Sequence, residues 1–296
     1  MPSKIQKLAL HFRREMTRKF LSEAAAQHLR TRPQLASFAF DLINIEIMVN
    51  GRYDDAQLAY LEKLLGPRLS DNIVLDVGAN IGNHAVAFAD VAKKVIAFEP
   101  HPRTVQLLRF NTAHLLNVEI IEKGASDSRG ALPAISPIAN FGASSITNRA
   151  PGPGEYSWIC NVDRLDELLA NERGKRIGMI KIDVEGHEPN VIRGARKILE
   201  ANHPIVLFEQ NIDAVTNGSS ESLDLLRDMG YRFFYSLKVN TVWATPQALP
   251  SLLRKVFRIV EGVTKGPPDE TVVLEPVTML EVRDYNTLIA SFESLN

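Results

Sequence analysis

The sequence lacks the features that mark secreted, disulfide-linked or membrane-spanning proteins. Its 296 residues include one cysteine, Cys160, which cannot form an internal disulfide or a cysteine metal cluster. The basic stretch over residues 1–20 is not followed by the apolar segment of a secretory signal. No apolar run approaches the ~18 residues that a membrane span requires. We therefore expect a soluble, cytoplasmic protein.

The sequence also has no excess of positive or negative residues. Lysine and arginine number 34 and aspartate and glutamate 35, so the net charge is −1. This balance provides neither the basic field of a nucleic-acid-binding protein nor the acidic bias of a disordered chain. Hydrophobic residues make up 45% of the chain, which is ordinary for a globular protein. We expect one large folded domain that does not bind nucleic acid.

Short apolar strands alternate with helical patterns from residue 73 onward. This order predicts an α/β fold, in which helices cover both faces of a mostly parallel sheet. The predicted strands are 73–77, 95–98, 118–121, 177–182, 205–208, 231–237 and 285–290. Residues 125–160 break the rhythm, because they are rich in Gly, Pro, Ser and Asn and have no helical period. Short strands and loops are predicted there.

The flanks of this pattern predict additional elements. Residues 1–39 are predicted to be an N-terminal helical extension, and residues 40–296 the main domain, with a helical insertion near 246–270. Apolar residues recur every fourth position among basic ones at Leu8, Phe12, Met16 and Phe20. We expect this helix to dock on the core or on a second subunit, which allows a homo-oligomer. An anionic membrane surface is a less favoured partner.

Two local predictions concern the segment before the sheet. Residues 42–49 alternate apolar and polar side chains, which predicts a half-buried strand. Asp54 or Asp55 is placed to cap a following helix, and Gly66-Pro67 is expected to stop it.

A glycine-containing loop, Asp76 to Gly82, follows the first predicted strand. Glycine lets the backbone turn sharply and approach a ligand, and ligands bind beyond the carboxyl ends of such strands. A dinucleotide fingerprint would require glycine where Asn80 and Asn83 stand, so only Gly78 fits it. An acid at the start of the loop would repel a phosphate, but it suits the ammonium and sulfonium groups of S-adenosylmethionine. Asp76, Gly78, Asn80, Gly82 and Asn83 are therefore candidate cofactor-binding residues.

The next strand ends in Glu99. It lies about 20 residues beyond the loop, the distance at which these sheets place a ribose-binding acid. After the third strand, Ser126 and Asp127 are candidates for adenine contacts. The residue types from Asp127 to Gly130 are equally typical of a β-turn, so an adenine contact and a structural turn both remain open.

The fourth strand ends in a cluster of ionisable groups. Four ionisable residues lie within the six-residue segment 183–188 at a strand-to-helix corner, namely Asp183, Glu185, His187 and Glu188. Crowded carboxylates shift one another's pKa, as catalytic sites require, and histidine can accept a proton near neutral pH. Asp183, Glu185 and His187 are therefore candidate catalytic residues. Glu185 or Glu188 could instead stabilise the start of the following helix.

A metal site is a weaker alternative at the same edge of the sheet. Asp183, Glu209 and Asn211 offer oxygen ligands for a hard cation such as Mg²⁺. The histidines have no zinc-ligand spacing. We predict no bound metal.

The motifs together resemble the FkbM-type methyltransferase family. The matching stretches are residues 74–84 (VLDVGANIGNH), 98–100 (FEP) and 180–188 (IKIDVEGHE), with weaker matches at 140–146, 162–168 and 208–209. The resemblance covers about residues 40–240. It implies a seven-stranded Rossmann-like fold, S-adenosylmethionine as cofactor, and O-methylation of hydroxyls in sugars, glycans or natural products. It implies cofactor binding by the first two stretches and a reacting centre bordered by Asp183 to His187.

We therefore predict a methyltransferase with a small-molecule or glycan acceptor. A base is expected to assist a weakly nucleophilic sugar hydroxyl, and His187 or Asp183 is the favoured residue. A nicotinamide-dependent oxidoreductase is the alternative enzyme, but it requires the missing glycine fingerprint. A non-catalytic protein of the same fold is the other alternative, although the cofactor loop is intact.

Overall fold

The computed structural model describes residues 4–39, 41–172, 174–242 and 269–295. The α-helices are α1 (Lys4–His28), α2 (Leu42–Asn50), α3 (Asp55–Leu69), α4 (Asn83–Ala89), α5 (Thr104–Thr112), α6 (Leu165–Leu168), α7 (Glu188–Gly194), α8 (Arg196–Asn202) and α9 (Glu221–Asp228). The strands are β1 (Ile73–Val77), β2 (Lys94–Phe98), β3 (Val118–Ile121), β4 (Gly124–Ala125), β5 (Gly130–Pro137), β6 (Ser145–Ile146), β7 (Glu155–Asp163), β8 (Ile177–Ile182), β9 (Ile205–Gln210), β10 (Phe233–Val242), β11 (Asp269–Pro276) and β12 (Tyr285–Ser291).

The main sheet has eight strands in the described part of the chain, in the order β11-β10-β12-β9-β8-β1-β2-β3. Five neighbouring strands of this sheet, β3, β2, β1, β8 and β9, run parallel. By contrast, β12 is antiparallel to both of its neighbours, β9 and β10. This topology confirms the predicted Rossmann-like α/β fold and adds β11 as an eighth strand at the edge. The chain leaves β1 toward β2 and later returns to β8 on its other side, which opens a ligand crevice at the carboxyl ends of β1 and β8.

The two faces of the sheet carry separate hydrophobic cores because side chains alternate along a strand. Leu75 and Ile180 pack on the face covered by α7 and α8. Val74 and Met179 pack on the opposite face, where α3 and α4 lie. By the same alternation, Asp76 and Lys181 point toward α3 and α4. This placement puts charged groups at one end of an otherwise apolar layer.

A second, four-stranded sheet replaces a crossover helix between β3 and β8. Its order is β4-β7-β5-β6, and its central strands, β7 and β5, pair antiparallel. The short strands predicted over residues 125–160 are therefore confirmed. The small sheet stands beside the carboxyl ends of β1 and β2, where it can form the wall of a binding site.

The predicted strand over residues 42–49 is wrong, because this segment forms the helix α2. The Asp41 side chain caps the helix by accepting a hydrogen bond from the Ile43 N–H at 3.1 Å. Gly51 ends it in the left-handed conformation, with its N–H bonded to the Ile47 carbonyl. The alternation was misleading because Ile43 and Ile47 are also one helical turn apart.

Gly66-Pro67 does not stop α3, which continues to Leu69. Leu65 and Leu69 are each 1% exposed, so packing on the core sustains the last turn despite the proline. The N-terminal residues form α1 as expected. The boundary between residues 39 and 40 stays a prediction, and the predicted insertion near 246–270 lies almost entirely outside the described residues.

Candidate functional site

A cleft with about 630 Å³ of empty space lies at the carboxyl ends of β1, β2 and β8. We call it the main cleft. Six of the predicted site residues line it, namely Gly78, Asn80, Glu99, Asp183, Glu185 and His187. They come from three separate parts of the chain and meet because the ends of parallel strands share one edge of the sheet.

The loop after β1 is held tightly against the neighbouring strands. The N–H groups of Gly78 and Ala79 both donate to the Phe98 carbonyl at 3.0 Å. Gly78 has a φ of 82°, and a Cβ atom there would lie 1.8 Å from the carbonyl oxygen of Asp183. No side chain fits in this position, so glycine is required. The loop can therefore bring its backbone directly to the edge of the cleft.

Glu99 is fixed by main-chain donors. Its Oε2 accepts from the Asn80 N–H at 2.7 Å, and its Oε1 accepts from the His101 N–H at 2.8 Å. The residue is 6% exposed, and burial raises its pKa although these hydrogen bonds oppose the shift. Each carboxylate oxygen retains lone pairs for further donors. A ligand with two adjacent hydroxyls would satisfy them.

His101 is a cleft residue that the sequence reasoning missed. It is 1% exposed, and its Nδ1 accepts from the N–H groups of Arg103 at 3.2 Å and Thr104 at 3.4 Å. Burial lowers the pKa of the imidazole to about 4, so the ring is neutral and its proton resides on Nε2. That Nε2 has no hydrogen-bond partner among the described residues. It is a buried donor available to a ligand.

The small sheet and the turn before β6 form the opposite wall, which the sequence also did not identify. The Trp158 ring packs edge-on against the His101 ring, with 4.9 Å between their centroids. Phe141 packs against His101 at 5.2 Å, and Trp158 Nε1 donates to Ser136 Oγ at 2.9 Å. The wall is thus apolar and held in one orientation. A planar ring can lie against it.

At the end of β8, a buried lysine joins two carboxylates. Lys181 Nζ lies 3.1 Å from Asp183 Oδ2 and 3.5 Å from Asp76 Oδ1. Burial alone would raise the pKa of Asp183, but the Lys181 ammonium, His84 and a hydrogen bond with Glu209 together outweigh it, and the pKa is lowered. Asp76 is fully buried and does not line the main cleft. Its nearest charged partner is Lys181, which in turn positions Asp183.

Glu185 has the most unusual setting at this corner. Its φ of 53° lies in the left-handed region, which is uncommon for a residue with a side chain. Burial and repulsion from Asp183 raise its pKa to about 7. By contrast, Glu188 accepts from the N–H groups of Val184 and Gly186 at 3.2 Å, so it stabilises the turn before α7. Glu185 is the carboxylate at this corner with a pKa suited to proton transfer at neutral pH.

His187 also lines the main cleft, but its ring is already engaged. Its Nε2 lies 2.9 Å from Ser126 Oγ, and burial lowers its pKa. Ser126 and Asp127 do not line the main cleft. Asp127 Oδ2 accepts from Asn190 Nδ2 at 3.2 Å, which ties the turn after β4 to α7. Their predicted adenine contacts stay predictions.

Gly82 and Asn83 likewise lie outside the wall of the main cleft. Gly82 has a φ of 93°, and a Cβ there would lie 2.7 Å from Leu108 Cδ1, so the glycine permits packing of α5. The Asn83 side chain makes two hydrogen bonds of 2.9 Å with the main chain of Tyr53. It thereby fixes the segment that carries Asp54.

A second cavity lies beyond Asp183, between the sheet and helices α3 and α4. We call it the acidic cavity; its space of about 430 Å³ includes the solvent at its open side. Its polar lining consists of Asp54, Gln57, His84, Lys181, Asp183, Glu209, Asn286 and Thr287. Asp183 belongs to the walls of both cavities.

The carboxyl groups of the acidic cavity influence one another. Glu209 is within hydrogen-bonding reach of Asp183, and burial and the Asp183 charge raise the pKa of Glu209 to about 8. Burial raises the pKa of Asp54 to about 6 and lowers that of His84 to about 3. Among the described residues, no group of three or more His, Cys, Asp or Glu side chains is arranged to hold a metal ion. The carboxyl, amide and hydroxyl groups that line the acidic cavity can accept and donate hydrogen bonds.

Comparison with known proteins identifies the family. The sequence profile of the Methyltransferase FkbM domain matches residues 76–233. The hexuronic acid methyltransferase AglP of Haloferax volcanii is 33% identical over 153 residues, covering 51% of this chain and 61% of AglP. The 2-O-methyltransferase NoeI of Sinorhizobium fredii is 28% identical over 145 residues, covering 44% of this chain and 59% of NoeI. The matches thus span about three fifths of each relative.

A solved structure of an FkbM methyltransferase from Methylobacillus flagellatus KT aligns with a TM-score of 0.36 at 16% identity, over 59% of this chain and 41% of that one. The sequence profile covers more than half of the chain, including the loop after β1, Glu99 and the β8 corner. The protein therefore belongs to the FkbM methyltransferase family.

Proposed function

We propose that this protein transfers a methyl group from S-adenosylmethionine to a hydroxyl oxygen of a sugar, glycan or related small molecule. Membership of a methyltransferase family supports methyl transfer, and the names of two relatives support a sugar acceptor. The observation that carries the proposal is the pairing of two cavities that share Asp183. One is suited to a nucleoside and the other to a polyhydroxylated molecule.

The residues of the main cleft fit S-adenosylmethionine. The free lone pairs of Glu99 would accept from the two ribose hydroxyls, and the unpartnered Nε2–H of His101 would donate to an acceptor on the nucleoside. The wall around Trp158 would cover the adenine ring. When bound, the cofactor supplies a methyl group made electrophilic by its sulfonium centre. Main-chain hydrogen bonds hold Glu99 in place before binding, so little ordering is required.

The acidic cavity would receive the acceptor. Its carboxylates and amides accept or donate hydrogen bonds to hydroxyls, while Leu58, Leu61 and Phe208 supply an apolar surface for the face of a sugar ring. Asp183, as the shared wall, would orient the hydroxyl toward the main cleft. The one lysine of this cavity, Lys181, is already paired with two carboxylates. The charge therefore favours an uncharged sugar over a hexuronic acid, for which AglP is named.

Glu185 is the residue that we assign as general base. A base is most effective when its pKa is near the working pH, and the pKa of Glu185 is about 7. The Lys181 ammonium makes Asp183 a weaker base, and His187 Nε2 is engaged by Ser126. Glu185 would accept the hydroxyl proton as the methyl group passes from the cofactor sulfur to the hydroxyl oxygen, which would leave S-adenosylhomocysteine, while Asp183 orients the hydroxyl.

Calorimetry and a transfer assay test the proposal together. Purified protein is titrated with S-adenosylmethionine, S-adenosylhomocysteine and NAD, and we expect binding of the first two alone. The labelled cofactor is then incubated with an extract of source cells and with simple glycosides, and the label is expected in a sugar ether. NAD binding without binding of the methyl donor would favour an oxidoreductase and refute the proposal. Cofactor binding with transfer to protein or RNA would refute the sugar acceptor only.

A further inference from the structure

The N-terminal helix α1 presents an apolar face that the rest of the described chain does not cover. Every residue from Lys4 to Phe20 is exposed, and burial begins only in the last two turns, which line a groove with α2. Leu8, Phe12 and Met16 are 69%, 66% and 53% exposed. A stripe of large apolar side chains open to water marks an interaction surface.

Three of the six lysines and arginines of α1 lie opposite an apolar stripe, Lys4 and Arg13 flank the stripe, and Lys19 falls within it. Positions 5, 8, 12, 16 and 20 are three or four residues apart, so Ile5, Leu8, Phe12, Met16 and Phe20 share one face. Lys7, Arg14 and Arg18 are seven and four residues apart and project from the opposite side. This division is typical of helices that lie in the plane of a membrane surface.

The charge of this segment is opposite to that of the rest of the protein. Residues 4–20 contain six lysines and arginines and one glutamate, a net charge of +5, whereas the whole chain carries −1. The remaining residues therefore carry −6 in total. A symmetric pair of α1 helices would bring two segments of net charge +5 together, and like charges repel. An anionic lipid surface attracts the basic side chains and also accepts the apolar stripe.

We propose that α1 anchors the protein to an anionic lipid surface, with its apolar stripe immersed among the acyl chains and its lysines and arginines at the head groups. No helix in the described part of the chain is long and apolar enough to cross a membrane, so the contact lies in the plane of the surface. The proposal stands on α1 alone and is independent of the proposed methyl transfer.

A sedimentation assay with the full chain tests this surface. Vesicles of phosphatidylcholine alone are compared with vesicles of equal parts phosphatidylcholine and phosphatidylglycerol, at low and high salt. The protein is expected to sediment with the anionic vesicles only, and less at high salt. Two variants, Lys7→Glu/Arg14→Glu and Phe12→Glu, are each expected to lower binding by about tenfold or more. Circular dichroism verifies that both retain the fold.

A charge-matched control separates α1 from general electrostatics. Lys63→Glu/Arg68→Glu makes the same charge change at exposed positions of α3 and is expected to leave vesicle binding unchanged. Equal binding to neutral vesicles, absence of binding to anionic ones, or loss of binding in the control would overturn the proposal. Light scattering provides a further criterion. A dimer that Phe12→Glu converts to monomers would assign the face to a second copy of the chain instead.

Discussion

The main cleft and the acidic cavity share Asp183, yet they are built in different ways. In the main cleft, the polar groups are held by the backbone: both oxygens of Glu99 accept main-chain N–H groups, and His101 Nδ1 does the same. In the acidic cavity, charged side chains face one another, as Glu209 faces Asp183. The first arrangement fixes geometry and the second shifts pKa values. The proposed base, Glu185, lines the main cleft, so proton transfer is assigned to the cofactor side of Asp183, the residue that the two cavities share.

The buried ammonium of Lys181 allows the main cleft and the acidic cavity to lie side by side. Its side chain is 9% exposed, and its ammonium lies between Asp76 and Asp183. Burial raises the pKa of Asp76 even beside this cation, and without it the charge of Asp183 would raise that pKa further. Lys181 therefore keeps Asp183 ionised, while burial and the Asp183 charge raise the pKa values of Glu185 and Glu209.

The largest expected effect comes from removing the base. We expect Glu185→Gln to lower kcat by roughly 10²–10⁴-fold with little change in cofactor affinity. The base form of a group with a pKa of about 7 is lost as the pH falls through that value. Wild-type kcat should accordingly decline below about pH 7 and level off above it, and this dependence should vanish in Glu185→Gln.

Measurements of kcat across the pH range, together with calorimetric titration of the cofactor to obtain its affinity, test this prediction. Asp183→Asn and His187→Ala are also expected to reduce turnover more than cofactor affinity, because both line the same corner. If Glu185→Gln keeps the wild-type pH profile and His187→Ala loses it, the base is His187 and our assignment is wrong.

The next effect concerns Glu99 and the rigidity of the main cleft. Glu99→Ala removes two hydrogen bonds to a bound ribose, each worth at most roughly 1.5–3 kcal/mol. Cofactor affinity is expected to fall at least about tenfold, while the unfolding temperature changes less than in a core variant. Calorimetric titration with S-adenosylhomocysteine measures the loss. Unchanged affinity would show that Glu99 only organises the loop through Asn80 and His101.

A smaller effect is expected for the charge of the acceptor. At equal concentration, a neutral glycoside should be methylated with a kcat/KM about tenfold above that of the matching uronate, because like charges placed together are unfavourable. The preference should increase as the pH rises through about 8, where Glu209 loses its proton and adds negative charge. Glu209→Gln should abolish that increase. A preference for the uronate would show that the acceptor does not enter the acidic cavity.

The smallest expected effect concerns His101. His101→Phe keeps the ring that packs on Phe141 and Trp158 but removes the Nε2–H donor. A neutral hydrogen bond contributes about 0.5–1.5 kcal/mol, so the affinity for S-adenosylhomocysteine should fall roughly two- to tenfold. Binding as tight as in the wild type would mean that His101 contributes packing alone.

The sequence predicted the parallel sheet well and the segment before it poorly. The strands β1, β2, β8 and β9 are mostly apolar runs separated by helical patterns, and that combination is typical of buried parallel strands. Residues 42–49 have isoleucines at a spacing that suits both a strand and a helix. The helix is favoured because the Asp41 side chain caps its start and Gly51 ends it in the left-handed conformation. Capping acts at single residues, so a periodic pattern does not reveal it.

The residues of the candidate site likewise fall into those that the sequence predicted and those that it missed. Gly78, Glu99 and Asp183 stand directly at strand ends, and a motif identifies them because local geometry requires those residue types there. His101 and the wall from the small sheet were missed, as their roles depend on which side chains pack beside them. Asp54 and His84 join the acidic cavity only because α3 and α4 lie across the sheet.

The sequence by itself determined the alternation of strands and helices in the parallel part of the sheet, the close backbone approach at Gly78 and the presence of acids at the strand ends. These are local properties, set by hydrophobic period, by backbone sterics and by the meeting of parallel strand ends. Only the tertiary structure decided the state of those acids. A carboxylate's pKa depends on burial and on charges brought from distant parts of the chain, and Lys181 lowers the pKa of Asp183 while that of nearby Glu185 rises to about 7.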